Sequence, residues 1–593
     1  MKVKDMIQTR IDPLDFEVIS CGLRSVTEQM TATMERTARS PEHFAGRDYS
    51  IGIFDNKGNT AAIFEGNPIH VYAIPFSARS VIKFFGDDLR PGDQIWTNDP
   101  YFITGSCGSH LQDCTMLCPV FYKDELIFWA ANRAHQADVG GSVAGGYNPS
   151  ATDIYTEGVR YSPVKIMENY KIRKDVFHLL LSNMRFAYKQ RGDLLAMMGS
   201  NRKGEEGMLK VIERYGPETI RTYLEDLYDY SEKLLRIEIE KLPDGTYYGE
   251  AKGEGGPRCP LFTVRAKVTI KGSDITIDFS ESDPQAPSYI NSPYCNTVSA
   301  SWIALLTTVG KKIRYLSQGI ERPVKIITKR GTVVDPVAPA PVSACTNFAA
   351  KQVLSSIWVA LAQIAPEITP GGWGTIPFEI ITGTDPKKDN APYGSIDFLT
   401  CGSGTGAIWG VDGWATGTPE ICSGTLHYPD IEYYEDFMPN RWDVWEIEQD
   451  SGAPGKWRGG LAMRTVITNI GGEGWIHSGG QGFKEETKPV PVIAKGKQPE
   501  PVKRWIKEPD GSITDANDCI SYPWHPGAEM TVICQGGCGV GDPFERDVKK
   551  VRKDVIEEKV SIGAAKRDYG VVIDPDTSEI NYEETEKTRS SRR

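Results

Sequence analysis

The part of this chain that most restricts its fold is a pair of apolar, β-prone runs, TMLCPVFY and LIFWAANR, on either side of Lys123-Asp124-Glu125. Two such runs around a short polar turn predict an antiparallel hairpin centred on Asp124. One-for-one pairing then makes residues whose numbers sum to about 248 face one another, because the turn sets the register. Asp113 falls opposite His135 and His110 opposite Asp138, both pairs at the open end. Directly opposed residues keep their Cβ atoms within about 4.5 to 5.5 Å, so the four side chains are expected to converge.

Two imidazoles and one carboxylate, with positions open for water or substrate, form a ligand set that zinc, manganese or iron accepts at catalytic centres. Asp138 would complete the shell or orient a histidine from outside it. Gly105, Gly108, Gly140 and Gly141 bracket the group and permit tight backbone paths. From spacing alone a plainer reading stays open, in which the histidines cap strand ends and pair with nearby aspartates. His70, His178, His427, His477 and His525 have no acid at ligand spacing and are read as core or surface residues.

Elsewhere the apolar period changes repeatedly along the 593 residues, too many for one core. Ile19, Leu23, Val26 and Met30 recur at helical steps and predict an amphipathic helix from Asp15 to about Arg39. YSIGIFDNKGNTAAIF predicts a hairpin around Asn56-Lys57-Gly58. VYAIPFSARSVIKFFG predicts a helix with Pro75 in its first turn and Gly86 closing it. Helix formers dominate from Lys174 to Leu242.

After Pro243-Asp244-Gly245, the alternation Val264, Ala266, Val268, Ile270 resumes as Ile275, Ile277, Phe279 across Gly272-Ser273, a second hairpin. Helices are expected at NTVSASWIALLTTVG and NFAAKQVLSSIWVALAQIA, kept apart by the prolines of PVAPAPVSA. From about Pro370 a Gly- and Trp-rich sequence reads as strands and loops, ending in the polar tail INYEETEKTRSSRR, expected to fray. The fold class is therefore α+β and multi-domain: mixed antiparallel sheets, helical layers and a β-rich C-terminal region, divided as 1–242, 243–369 and 370–593.

Composition removes several function classes. A net charge of −12 without a basic track excludes a nucleic-acid partner. No apolar run approaches the ~20 residues of a bilayer span, and MKVKDMIQTRIDPLDF lacks the apolar core of a leader, so a cytoplasmic protein is expected. The 12 cysteines fit free thiols in a reducing compartment. Cys114/Cys118 and Cys534/Cys538 are spaced more loosely than structural zinc pairs. SGAPGKWRGG lacks the spacing and hydroxyl of a phosphate-binding loop. GSGTGAIWG has no strand before it and no helix after it, and no G-x-S-x-G elbow supports a serine nucleophile. The Gly-flanked tryptophans Trp373, Trp409, Trp414 and Trp475 are read as core builders, with an aromatic-ketone pocket as the alternative.

Several blocks in order carry a family likeness: WTNDPY, HLQD followed by PVF, AHQADVGG, EGVRYSPVKI, NMRFAYKQRGDLLA, DSGAPGKWRGG and GGCGVGDPFERDVKKVRKDV. They resemble the hydantoinase B/oxoprolinase family, over nearly the whole chain. The resemblance implies a B-type subunit that works beside A-type, actin-like ATP-binding subunits, with ATP and magnesium held there, and a small subunit in some complexes. It points to the ketone-carboxylase branch, in which an aromatic ketone such as acetophenone and bicarbonate give a 3-oxo acid. The alternatives are a subunit of an ATP-dependent hydantoinase or 5-oxoprolinase, and a scaffold without a working site.

In acetone carboxylase a His, Asp, His set of matching order holds a metal, which the resemblance carries to His110, Asp113 and His135. Asp138 and Glu157 are the candidate general bases, provided burial or a neighbour raises their pKa. NDPYFITGSCGSHLQD departs from the family pattern by being longer and by placing Gln112 where proline is usual. Asn98 and Asp99 are read as an Asx-type turn.

Overall fold

A computed structural model describes residues 9–64 and 66–591. The first eight residues, on which the expectation of a leaderless start partly rests, lie outside them. Two compact units emerge: Met1–Thr246 with Lys267–Ala350 and Thr425–His427, and Tyr247–Ala266 with Lys351–Gly424 and Tyr428–Arg593. The three-part division expected from composition differs from this, since 243–369 is distributed between both units. The compositional breaks fall where local structure changes, whereas the units are set by long-range packing.

Helix α1 (Pro13–Thr37) starts where expected: Asp12 accepts a hydrogen bond from the Leu14 N–H, and Pro13 opens the first turn, where its missing N–H costs nothing. Its stripe of Phe16, Ile19, Leu23, Val26, Met30 and Met34 is buried. Two short helices follow, α2 (Pro41–Phe44) and α3 (Pro68–Val71). Then comes α4 (Ile74–Phe85), ended by Gly86 at φ 51°. The helical region beyond 174 resolves into α5 (Lys174–Ser182), α6 (Ala187–Tyr215) and α7 (Pro217–Ile239).

Seven strands form the central sheet of the first unit: β1 (Tyr49–Asp55), β2 (Thr60–Phe64), β3 (Gln94–Thr97), β4 (Asp113–Tyr122), β5 (Glu125–His135), β6 (Val164–Glu168) and β7 (Lys171–Ile172). Their spatial order is β2-β1-β5-β4-β3-β6-β7, each neighbouring pair antiparallel. Because successive side chains alternate, one face sends Cys114, Met116, Cys118, Val120, Phe128 and Ala130 into the core shared with α1 and α6. The other sends Leu117, Trp129 and Ala131 against Ile74, Ala78 and Val81 of α4. Burial on both faces explains why β4 and β5 read as continuous apolar runs rather than as alternating ones.

The second expected hairpin forms as well. After β8 (Gly245–Gly253), β9 (Phe262–Lys271) turns into β10 (Asp274–Asp278) with Lys271 opposite Asp274 and Lys267 opposite Asp278. Strand β11 (Val324–Ile327) adds to β10 in parallel. Helices α8 (Tyr294–Leu306) and α9 (Ala349–Ala362) occupy the two apolar segments around the proline-rich stretch.

The second unit carries β12 (Pro377–Asp385), β13 (Ala391–Ile396), β14 (Asn440–Ile447), β15 (Met463–Asn469), β16 (Gly474–Gly480), β17 (Lys503–Lys507), β18 (Ile513–Asp515), β19 (Ser521–Trp524) and β20 (Glu529–Ile533). They make two sheets, ordered β13-β12-β16-β19 and β14-β15-β20-β17-β18. Among its helices are α10 (Ile431–Phe437), α11 (Val548–Ile556), α12 (Ile562–Tyr569) and α13 (Tyr582–Ser590).

Helix α13 corrects the expectation of a frayed tail. Asn581 caps it by accepting from the Glu584 N–H, Glu583 and Glu584 lie in its first turn, and Lys587 and Arg589 in its last. Arg589 ties it down by donating to the Tyr569 and Arg546 carbonyls. No helix among the described residues is long and apolar enough to cross a membrane.

Candidate metal centre

Next to the turn, a bulge between Val120 and Phe121 shifts the β4–β5 pairing by one, to Phe121 with Leu126 and Tyr122 with Glu125. From Val120 opposite Phe128 onward the ladder runs in the expected register, with Asp113 opposite His135 as its last rung. Beyond that rung the chain turns. The Asp113 N–H donates to the His110 carbonyl at 3.2 Å, and a last cross-strand bond runs from the Gln136 N–H to the Gln112 carbonyl at 2.8 Å. His110 therefore curls over the strand end and does not lie opposite Asp138, which corrects the expected convergence of four side chains to one of three.

Those three meet at one atom. Asp113 Oδ1 lies 2.9 Å from His110 Nε2 and 3.4 Å from His135 Nδ1. All three residues are buried, and one ligand atom from each lies within 4.8 Å of the others. The other oxygen of Asp113 accepts from Ser109 Oγ at 2.8 Å. Tyr147 stacks on His135 and tilts against His110, at ring-centroid distances of 5.8 and 5.7 Å.

A fourth residue, read from sequence as lacking an acid, also arrives. His70, on α3, places Nε2 at 3.2 Å from Asp113 Oδ1 and 3.6 Å from Asp48 Oδ1. Nothing in the local sequence marks it, because it reaches the cluster from a helix lying on the face of the sheet to which Asp113 and His135 point. His43, on α2, secures the backbone beneath: its Nε2 meets the His135 carbonyl at 2.8 Å, and its other ring nitrogen lies 3.6 Å from Asp193.

Arg133 shares the face of His135 and is fully buried. It donates to Thr115 Oγ1 (2.8 Å), Ser77 Oγ (2.8 Å) and the Cys107 carbonyl (3.2 Å), fastening the loop before His110 to β4 and α4. Gly108 is required in that loop, since a Cβ there would lie 2.1 Å from the Asn98 carbonyl oxygen.

The donor set fits a divalent ion. Coordination bonds of about 2.0 to 2.2 Å separate neighbouring ligand atoms by about 3.0 to 3.5 Å, close to the 2.9 and 3.4 Å found here. Asp113 Oδ1 is buried with no hydrogen-bond donor of good geometry despite three imidazole nitrogens around it. Burial would raise the Asp113 carboxyl, but the neighbouring His110 and His70 imidazoles, with His135 beside them, hold it well below the usual carboxylate range. Burial lowers the His135 imidazole, and the adjoining Asp113 carboxylate together with Asp48 and Glu42 reverses this and leaves it raised.

The two candidate bases sit differently. Asp138 accepts from the Arg185 N–H (2.7 Å), Arg185 Nη1 (2.8 Å) and the Gly145 N–H (3.2 Å). Burial raises its carboxyl against the pull of those donors. Glu157 accepts from the Val342 N–H with both oxygens (3.0 and 2.8 Å) and from the Ser343 N–H (2.9 Å). Burial pushes it up to about 8. Both carboxyls are thus raised and both are engaged in holding loops.

Asp99 forms the expected Asx turn, accepting from the Tyr101 N–H, and also binds Arg160 through two bonds. Asn98 ties the Leu111 and Val159 carbonyls to the Tyr161 N–H.

The cysteine and glycine motifs reduce to packing, whereas Trp409, Trp414 and Trp475, expected to build a core, are exposed. None of the 12 cysteines is in a disulfide. Cys114 and Cys118 are four residues apart on one strand, about 13 Å along it, and burial pushes both thiols up. The glycines of GSGTGAIWG make close backbone contacts: a Cβ on Gly404 would lie 2.0 Å from the Gly460 carbonyl oxygen and one on Gly406 1.8 Å from that of Gly371.

Comparison with known proteins places the chain in a family. The family described as Hydantoinase B/oxoprolinase matches residues 12–543. The beta subunit of the caprolactamase of Pseudomonas jessenii is 33% identical, with 95% of this chain and 97% of that protein covered. The B-type subunit of a putative D-/L-hydantoinase from a Pseudomonas species is 29% identical, with 98% of each covered. The 5-oxoprolinase of Saccharomyces cerevisiae is 24% identical over 90% of this chain, but only 42% of that protein is covered.

Among solved structures, the ATP-dependent caprolactamase from P. jessenii superposes with a TM-score of 0.89 at 32% identity, covering 98% of this chain and all of that one. A nucleotide-free acetone carboxylase also gives 0.89, at 16% identity, covering 98% of this chain and 83% of that one; at this identity the likeness concerns the fold.

Proposed function

Because this chain belongs to the hydantoinase B/oxoprolinase family, we propose that it is one component of an ATP-dependent, multi-subunit enzyme that opens a cyclic amide. His110, Asp113 and His135 would hold a divalent ion, zinc or manganese before iron. The observation that carries the reading is the convergence of buried imidazole nitrogens on Asp113 Oδ1. A divalent ion there supplies Lewis acidity toward an oxygen of the substrate or of water.

The rest falls to the chain's own side chains. Ser109 fixes the second oxygen of Asp113, Tyr147 covers both imidazoles, and Arg133 secures the loop that carries His110. Asp138 and Glu157 are assigned to positioning rather than to proton abstraction, because their oxygens are spent on Arg185, Gly145, Val342 and Ser343.

The cyclic-amide branch is preferred to the ketone carboxylase suggested by the sequence motifs. The relatives at 33% and 29% identity over nearly full length carry lactam and hydantoin names, whereas the carboxylase likeness stands at 16%. An amide is resonance-stabilised, so ring opening at neutral pH needs activation, which ATP bound by a partner subunit supplies. Both of those relatives are named as one subunit of a larger enzyme, which supports such a partner. So does the yeast oxoprolinase, in which this chain matches only 42% of the length. With its cysteines outside disulfides, the chain suits a reducing compartment, and we place it in the cytoplasm.

The test is ATP turnover by this chain assembled with its partner. Stimulation by caprolactam, a hydantoin or 5-oxoproline without bicarbonate supports the reading. Stimulation by acetone or acetophenone only with bicarbonate refutes it in favour of carboxylation.

A further inference from the structure

The Gln112 amide decides which nitrogen of His110 carries a proton. Gln112 is fully buried, and its Nε2 donates to the Gly145 carbonyl at 3.1 Å. A carbonyl oxygen only accepts, so the amide orientation is set, and Oε1 is the atom that meets His110 Nδ1 at 2.7 Å. A carboxamide oxygen also only accepts. Nδ1 is therefore protonated, and the other ring nitrogen, Nε2, points at Asp113 Oδ1 from 2.9 Å. In the neutral ring Nε2 is then an acceptor, and two acceptors that close need a cation between them, a proton on Nε2 or a metal ion; with two further imidazole nitrogens on the same oxygen, a metal ion serves all three rings at once.

The backbone packs closely on the amide. Gly146, at φ +73°, lies so close that a Cβ there would be 2.0 Å from Gln112 Nε2. The Gly145 N–H donates to Asp138 Oδ1 at 3.2 Å, and Asp138 is held in turn by Arg185 Nη1 at 2.8 Å. A continuous chain of bonds thus runs from Arg185 through Asp138, Gly145 and Gln112 to His110.

We infer that Gln112 is a positioning residue that locks His110 in the Nδ1–H tautomer and presents Nε2 as a metal ligand, with Asp138 acting on the centre through Gly145 and Gln112. This rests on the reading of His110, Asp113 and His135 as metal ligands.

Zinc affinity of the full chain, measured by chelator competition, tests the inference together with the visible absorption of the cobalt(II)-loaded chain. Loss of an outer partner of a ligating histidine weakens metal binding by roughly 10- to 100-fold, and Gln112→Leu is expected to fall in that range. Gln112→Glu keeps an acceptor for Nδ1–H but must protonate its second oxygen to donate to the Gly145 carbonyl, and it is expected to lose less zinc affinity than Gln112→Leu, with a retained cobalt spectrum. Asp138→Ala, one link further away, should lose less than Gln112→Leu.

Equal zinc affinity in Gln112→Leu and the unaltered chain overturns the inference while leaving the metal reading intact. So does a Gln112→Glu variant as weak as Gln112→Leu, because acceptance of the Nδ1 proton would then not matter. An unaltered chain that takes up no zinc overturns both. If Gln112→Leu fails to fold, Gln112→Glu and Asp138→Ala decide: an altered cobalt spectrum in the first, or zinc affinity unchanged in the second, refutes the proposal.

Discussion

Replacing Glu157 by glutamine should change how stability depends on pH, with a sign that the structure dictates. Glu157 is wholly buried and its oxygens face the Val342 and Ser343 amides. Burial dominates, raising the carboxyl from 4.5 to about 8. A group whose folded pKa lies above its unfolded one binds its proton more tightly in the folded state across that window, so folding loses stability as pH rises from about 4.5 to about 8. The shift, 8 − 4.5 = 3.5, corresponds to an upper limit of about 5 kcal/mol at about 1.4 kcal/mol per pKa unit.

Glutamine cannot titrate and still offers one oxygen to the two amides. Denaturant unfolding of both proteins between about pH 5 and pH 8 should therefore show the native protein falling relative to Glu157→Gln by up to ~4 kcal/mol. Parallel curves, or a native protein that gains on the variant as pH rises, would show that the amides hold Glu157 ionised and that burial does not control its proton.

Three further outcomes are expected. Gly108→Ala drives a Cβ to 2.1 Å from the Asn98 carbonyl oxygen, and should cost about 1 to 3 kcal/mol in denaturant unfolding and lower metal uptake, because the displaced loop carries His110. Cys114→Ala and Cys118→Ala should leave metal content unchanged by elemental analysis, since these thiols are inert core groups; loss of metal from either would revive a thiolate site. Asn581→Ala removes the cap on the Glu584 N–H and should raise hydrogen exchange across Tyr582–Ser590 by the equivalent of about 1 kcal/mol; unchanged exchange would mean that Arg589 alone holds the helix.

Much of the fold was legible because the signals are local. The period of Ile19 to Met30, the turn at Lys123 to Glu125 and the alternation across Gly272 each specify an element without knowledge of its partners, and the hairpin register carried Asp113 to His135. What escaped depends on where the chain returns. His70 is 43 residues before Asp113 (113 − 70 = 43) and reaches it only because α3 packs on the correct face of the sheet. Asp138 was expected opposite His110, but the turn after the last rung sends it to Arg185 and Gly145. Gln112 stood out as a departure from the family pattern, yet its bond to His110 needed coordinates. The tail was misjudged from its polarity alone, although Asn581 and the charges of its first and last turns are helix-end signals.

His110, Asp113 and His135 are proposed as a working metal centre in an enzyme that opens cyclic amides. The most direct test is metal content measured alongside ring-opening activity in the assembled complex, for the native chain and for His110→Ala and His135→Ala. The expected result is one divalent ion for each copy of this chain, lost in both variants together with amide-dependent ATP turnover and ring opening. A native complex without the ion, or variants that open the ring at the native rate, would contradict the claim and leave this chain as a scaffold for its partner.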